Sequence, residues 1–251
     1  MSQIEQNRRF MQCPAFGEAM SQSDQSKGIP APPFGKTPGA NVITLPSFAG
    51  ALRMPLYEDL LDARRSKRKF IDKPMTQAQL AFMLWSTQGI QNTVGDVATR
   101  RPVPSGGSRH PFETYFAVKS VEGLDPGLYH YLPDLNRGEK ICSIERLADL
   151  PDDETISQMV VGQKWVTSAQ VVFFYSCIPY KAEWRYAEHA HRVVLIDLGH
   201  LGQNAMLSAA ALELGSCCIA AYDQKLCDKI FALDGIDEYT VYVIAVGYPA
   251  D

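Results

Sequence analysis

Arg64, Ser66 and Arg68 stand within five residues of one another in the run Ala63-Arg-Arg-Ser-Lys-Arg68. Two guanidinium groups and a hydroxyl at that spacing can surround a phosphate, because each guanidinium offers paired donors and keeps its charge when partly desolvated. The same run also reads as a solvated basic surface. A nucleic-acid patch is the weaker reading, since no aromatic side chains interleave with the basic ones for stacking. A second group, Pro104, Ser105, Gly106 and Gly107, sets two glycines where backbone N–H groups can approach a flat or anionic ligand without a Cβ in the way. An ordinary turn has the same composition, and the G-x-x-x-x-G-K-[ST] phosphate loop is absent.

The third group is the stretch from Leu212 to Asp223. It reads as a helix ending at Gly215, its C′ residue, followed by small residues including Ala220 and Ala221 that can run along the edge of a ring system. A plain helix-to-strand connection has the same pattern. The fourth group, Glu183 to Arg192, is dense in titratable side chains. Within it Tyr186 can move a proton while Arg185 holds the phenol or a substrate carbonyl; a structural hydrogen-bond cluster fits equally. His189 and His191, two residues apart, face different sides of a helix, which argues against a shared metal. His110 and His130 read as satisfied structural histidines, and no Gly-x-Ser-x-Gly turn supports hydrolase chemistry.

These groups need a scaffold, and the chain has the material for one. Its 251 residues, 46% hydrophobic and 21% charged, suit one large domain. A formal net charge of −4 creates no general field for nucleic acid or anionic membrane, so an anion site must be built locally. None of the six cysteines forms a C-x-x-C, and free thiols in a reducing cytoplasm are expected. The first residues lack a signal peptide's apolar core, and no run reaches a membrane span, so the expectation is a cytosolic protein.

Residues 1–51, rich in Gly, Pro, Ser and Gln, read as an extended arm that is mobile or wraps a partner subunit, and 52–251 as the folded domain. From Pro55 a helical stripe of Leu56, Leu60 and Leu61 leads into the basic run. Thr76 is placed as the N-cap of a helix carrying Leu80, Met83 and Leu84 and ending near Gly89. A loop is expected over 92–107. Strands are expected over 113–118, 127–132, 171–175 and 239–247. Helices are expected over 152–164, a central pair within 182–214, and 225–232. Strands and helices in no regular alternation indicate an α+β fold.

In this order the segments resemble the SagB-type branch of the nitroreductase superfamily. The resemblance rests on Arg64-Arg-Ser-Lys-Arg-Lys-Phe70, Leu84-Trp-Ser-Thr-Gln-Gly89, Pro104-Ser-Gly-Gly107, Gly127-Leu-Tyr-His-Tyr131, Gly199-His-Leu-Gly-Gln-Asn204 and Val246-Gly-Tyr-Pro249, and spans about Leu60 to Tyr248. It implies an α+β fold with a mostly antiparallel central sheet flanked by helices, and a homodimer holding flavin mononucleotide (FMN) at its interface. Arg64, Ser66 and Arg68 would then take the phosphate and ribityl end. Pro104, Ser105, Gly106 and Gly107 would contact the isoalloxazine from the other subunit, and backbone groups near Ala220 and Ala221 would face its N5 edge.

The resemblance implies an FMN-dependent oxidoreductase that aromatises a thiazoline or oxazoline in a peptide or small molecule, within a biosynthetic complex. A base takes the ring's Cα proton and a hydride leaves from Cβ. Family members of that type carry a Lys-Tyr pair where alignment places Arg185 and Tyr186. Arginine holds its proton too firmly to be a base at neutral pH, which leaves Tyr186 to act with Arg185 as charge support. The chain also ends without the basic residue that many members place near the phosphate. An NAD(P)H-dependent nitro or quinone reductase is the alternative enzyme; a non-catalytic flavin- or peptide-binding partner subunit is the alternative from another class.

Overall fold

The computed structural model describes residues 2–12, 16–50 and 56–250; Cys13, Pro55 and the arm boundary at 51/52 lie outside them. The strands are β1 (Val42–Leu45), β2 (Asn92–Val94), β3 (Ala98–Arg100), β4 (Phe112–Val118), β5 (Gly127–Tyr131), β6 (Cys142–Asp149), β7 (Val171–Cys177), β8 (Gly215–Ile219) and β9 (Tyr239–Gly247). The helices are α1 (Gln3–Met11), α2 (Phe16–Ser21), α3 (Tyr57–Ala63), α4 (Gln77–Gln88), α5 (Asp153–Met159), α6 (Tyr180–Tyr186), α7 (Ala190–Ala211) and α8 (Gln224–Ile230).

Seven strands form one sheet in the order β1-β6-β5-β4-β7-β9-β8, with every strand pairing antiparallel. Strand β7, which opens with the continuous apolar run Val171–Tyr175, and its neighbour β4 are buried along their whole length and pair side by side, as strands covered on both faces must be. Phe116, Phe173, Phe174 and Tyr175 on them are each fully buried, an exclusion from water that stabilises by about 1.5–3 kcal/mol per side chain. Leu80, Met83 and Leu84 of α4 and Leu201, Ala205 and Ala209 of α7 fill the core on one face. Ile156 and Met159 of α5 and Cys227 of α8 fill the other.

Thr76 caps α4 as its sequence indicates. Its hydroxyl accepts from Gln79 N at 3.2 Å while Gln79 Oε1 accepts from Thr76 N at 2.9 Å, and the helix stops at Gly89. The expected helix over 152–164 is shorter: Asp152 caps α5, which closes at Met159, and residues 164–168 form a separate 3₁₀ turn. The expected loop over 92–107 holds the β2–β3 hairpin.

Two further expectations are corrected. Gly215 is not a helix C′ residue. Helix α7 closes with Leu214 N donating to Ala209 O at 2.9 Å and Glu213 N to Ala210 O at 3.0 Å, and Glu213 itself takes the left-handed backbone at φ 58°. Gly215 begins β8, where a Cβ would lie 2.8 Å from Lys67 Cβ, so its glycine serves close packing. Nor is the N-terminal arm wholly extended. It contains α1 and α2, and its Val42–Leu45 segment adds to the sheet as edge strand β1, with Val42 opposite Glu145. Local composition carries no information about that pairing partner a hundred residues away.

Candidate active site

Helix α3 stops at Ala63, and Arg64 turns into extended backbone as its C-cap. The chain then runs beside the free edge of β8: Ser66 bridges Ser216, and Lys67 N donates to Ser216 O at 2.9 Å. A hollow of about 170 Å³ lies among Arg64, Lys67, Ser216, Ala210, Glu213 and Pro249. Arg64 is half-buried, whereas Ser66 and Arg68 are exposed. Burial pushes the Cys217 thiol up, and Arg68 and Ser66 partly offset that, which puts both side chains at the middle of β8. Among the described residues no carboxylate forms an ion pair with Arg64, Lys67 or Arg68. Strand β8 ends at Ile219, leaving Ala220 and Ala221 exposed, roughly 13 Å from Ser216 at the rise of a strand. The basic cluster and the two alanines therefore share one sheet edge.

The Pro104–Gly107 turn is held elsewhere. Asp197, buried on α7, accepts the Ser105 hydroxyl at 2.6 Å and the Gly106 N–H at 3.0 Å. Ser105 Oγ in turn accepts from His110 N at 2.9 Å. Burial raises the Asp197 pKa, and the Ser105 and Gly106 bonds oppose that rise. Gly107 has φ 57°, and a Cβ there would sit 2.4 Å from Arg185 Cδ and 2.8 Å from the Tyr186 hydroxyl; one on Gly106 would meet Val193 at 2.3 Å. Only glycine fits so close to the end of α6. Within one chain, then, the turn lies against Arg185 and Tyr186.

Arg185 and Tyr186 occupy the last turn of α6, the guanidinium 5.7 Å from the phenol ring centroid. Arg185 Nη1 donates to Gln25 Oε1 at 2.9 Å, and its Nε is buried without a hydrogen-bond partner. The lysine one turn earlier, Lys181, is occupied: it donates to Glu113 at 2.6 Å and to Phe34 O at 3.0 Å. His130 completes this buried group, bonded to Glu113 at 3.1 Å and stacked on Tyr115. Burial alone would raise Glu113, but Lys181 and His130 override it and hold the carboxyl at about 2. His110 is buried and bonded to Thr99 O; burial and Arg101 push it down to about 3. Both histidines sit in structural positions.

The structure thus brings the expected residues into two groups. Asp197, which holds the turn, and Ala210, which flanks the basic cluster, are thirteen residues apart on α7, about 20 Å along the helix axis. Sequence reasoning missed Asp197 and Gln25. A lone carboxylate in Val193-Val-Leu-Ile-Asp-Leu198 is the signal that marks Asp197, while Gln25 has no local signal at all.

The fold and these groups define a class that the family comparison identifies. The profile of the nitroreductase family matches residues 61–248, and the chain belongs to that family, as an oxidoreductase. MJ1384 of Methanocaldococcus jannaschii, which carries a nitroreductase name, is 28% identical over 191 residues, covering 76% of this chain and 89% of that protein. The trifolitoxin-processing protein TfxB of Rhizobium leguminosarum bv. trifolii is 28% identical over 59% of this chain, and the microcin B17-processing protein McbC of Escherichia coli 27% identical over 55%. The matches span only 39% of TfxB and 50% of McbC. These two peptide-processing relatives agree with the SagB-type resemblance read from the sequence.

Among solved structures, a Ralstonia eutropha protein described as a nitroreductase superposes with a TM-score of 0.65 at 22% identity, covering 88% of this chain and 98% of its own. A chain of the E. coli microcin synthetase McbBCD complex, with truncated pro-MccB17 bound, superposes at 0.59 and 22% identity, covering 86% and 77%. Both establish the shared fold. Among the described residues no helix is long and apolar enough to cross a membrane.

Proposed function

We propose that the chain is an FMN-dependent dehydrogenase that aromatises a thiazoline or oxazoline carried by a peptide or a small molecule. The observation that carries the reading is the pairing of a basic, hydroxyl-bearing cluster, which forms no ion pair with a carboxylate among the described residues, at one sheet edge with a glycine turn against an Arg-Tyr pair. The first donor set suits a phosphate and the ribityl hydroxyls: Arg64 and Arg68 supply charge-assisted donors, and Ser66 a hydroxyl. The exposed small residues Ala220 and Ala221, the latter with its carbonyl accepting from Gln163 Nε2 at 3.1 Å, suit the ring edge. When bound, the flavin supplies the hydride acceptor.

The protein's own residues supply the rest. Tyr186 takes the proton from the ring's Cα. Arg185 serves as its charge support, the guanidinium lying 5.7 Å from the phenol ring centroid. Arg185 does not replace the lysine base of the family's azoline dehydrogenases, and Lys181 is engaged with Glu113.

The 20 Å between the two groups supports a homodimer in which each site draws its phosphate cluster from one chain and its Pro104–Gly107 turn from the other. Along α7, Leu195 and Ile196 are about half exposed, 53% and 49%, and nothing lies within 4 Å of a Cβ placed on Gly199. An apolar stripe of that kind on the helix that joins both groups suits a subunit contact. The peptide-processing relatives TfxB and McbC support a place in a biosynthetic complex. The near-full-length similarity to MJ1384 favours the second reading, an NAD(P)H-dependent reductase.

Anaerobic stopped-flow on the purified FMN-loaded protein separates the two. A synthetic peptide carrying one thiazoline should bleach the flavin and lose two hydrogens by mass, with NADPH inert. Rapid bleaching by NADPH and none by the peptide establishes the reductase instead. A protein that takes up no FMN removes both.

A further inference from the structure

The family match begins at residue 61, yet the last turn of α6 is held by residues well before it. Gln25 N donates to Trp184 O at 2.9 Å, and Trp184 Nε1 donates to Ile29 O at 2.8 Å. Tyr180, at the start of the helix, donates to Asp24 at 2.9 Å. Farther along, Lys36 ties the same segment to Glu238 at 2.6 Å. Residues 23–36 are therefore a strap fixed at both ends across α6.

One contact of the strap reaches the site. Arg185 lies close enough to Arg109 for the two charges to repel, and Arg109 is lowered first by burial and then by Arg185. Gln25, whose backbone N–H is anchored on Trp184 O, accepts Arg185 Nη1 at its side-chain Oε1 and holds the guanidinium in place against that repulsion. With Nη1 so held, the buried Nε is left facing the Gly107 turn, where a Cβ would lie 2.5 Å from it.

We propose that Gln25, delivered by the N-terminal strap, is a positioning residue for Arg185: it fixes the guanidinium beside Tyr186, where its charge supports that residue. This rests on the reading of Arg185 and Tyr186 given above. The arm that precedes the family domain is then part of the active site, and it acts in cis.

The test uses the full chain loaded with FMN and the thiazoline peptide. Gln25→Leu keeps the size but removes the acceptor; Gln25→Glu keeps an acceptor. Loss of one hydrogen bond to a charged group should lower kcat about tenfold in Gln25→Leu. KM should change less than twofold, and Gln25→Glu should restore at least half the rate. Hydrogen exchange of the apo chain over α6 should stay as in the wild type, because the backbone bond from Gln25 N to Trp184 O remains. Wild-type kcat in Gln25→Leu beside an inactive Tyr186→Phe overturns the strap's role and leaves the Arg-Tyr pair standing. An equal loss in Gln25→Glu, or faster exchange of α6 in Gln25→Leu, makes the contact structural and also overturns it. Full activity in Tyr186→Phe removes the pair itself, and the proposal with it.

Discussion

Replacing Asp197 with alanine removes both bonds that hold the Ser105–Gly106 turn to α7. Hydrogen bonds to a charged group are worth about 1.5–3 kcal/mol each, and relief of a buried, desolvated carboxylate gives part of that back, so the net loss should be about 2–4 kcal/mol. For a chain of this size that lowers Tm by roughly 5–15 °C. The turn also loses its hold beside Tyr186, and FMN affinity should fall about tenfold if the turn touches the ring, a change of about 1.4 kcal/mol. Asp197→Asn keeps the shape and one acceptor while discarding the buried charge, so it should lose roughly half as much. Calorimetry of the apo chain gives the first quantity and quenching of FMN fluorescence the second. If Asp197→Ala melts with the wild type and binds FMN equally well, the turn is held by its own backbone and the account of Asp197 is wrong. If Asp197→Asn is more stable than wild type, desolvation outweighs the two bonds.

Glu113 ties acid stability to the buried network. Its folded pKa of about 2 lies below the ordinary value of 4.5, so its stabilisation is complete above 4.5 and is lost as pH falls toward 2. The shift corresponds to about 3 kcal/mol; an acid titration followed by circular dichroism should show that slope, and Glu113→Gln should flatten it. Gly107→Ala should cost about 1–2 kcal/mol for the left-handed backbone plus a clash with Arg185, whereas Gly95→Ala, at φ 53° with open space around it, should show the backbone part alone. Equal melting of the two variants contradicts the close approach of Gly107 to α6. Arg64→Ala and Arg68→Ala should each weaken FMN binding about tenfold and reduce its salt dependence. A double variant with wild-type affinity at both low and high salt would put the phosphate elsewhere.

Much of the scaffold was legible because its signals are local. Thr76 ahead of the helical spacing of Leu80, Met83 and Leu84 announced a capped helix, and the continuous apolar run Val171–Tyr175 in β7 announced a central strand. The order of short motifs, Arg64 to Arg68 first and Val246 to Pro249 last, was enough to place the chain in its family. Gly215 was misread because a glycine after a helix signals a C′ residue, whereas here Glu213 takes the left-handed position and Gly215 is small to admit Lys67. No residue type distinguishes those two uses.

The sequence by itself determined which groups can do chemistry: a basic cluster with a serine, a glycine turn, an Arg-Tyr pair and a stretch of small residues after what reads as a helix end. These are properties of side chains and of spacings within one turn or one strand. Only the tertiary structure decided how they group. It set the basic cluster and Ala220–Ala221 on one edge and the Gly106–Gly107 turn against Arg185 and Tyr186. It also bonded Asp197 to a turn some ninety residues earlier and Gln25 to an arginine 160 residues later. The reason is physical: contacts so distant in sequence form only once burial of the core has closed the intervening chain, and no local periodicity records which partners that closure brings together.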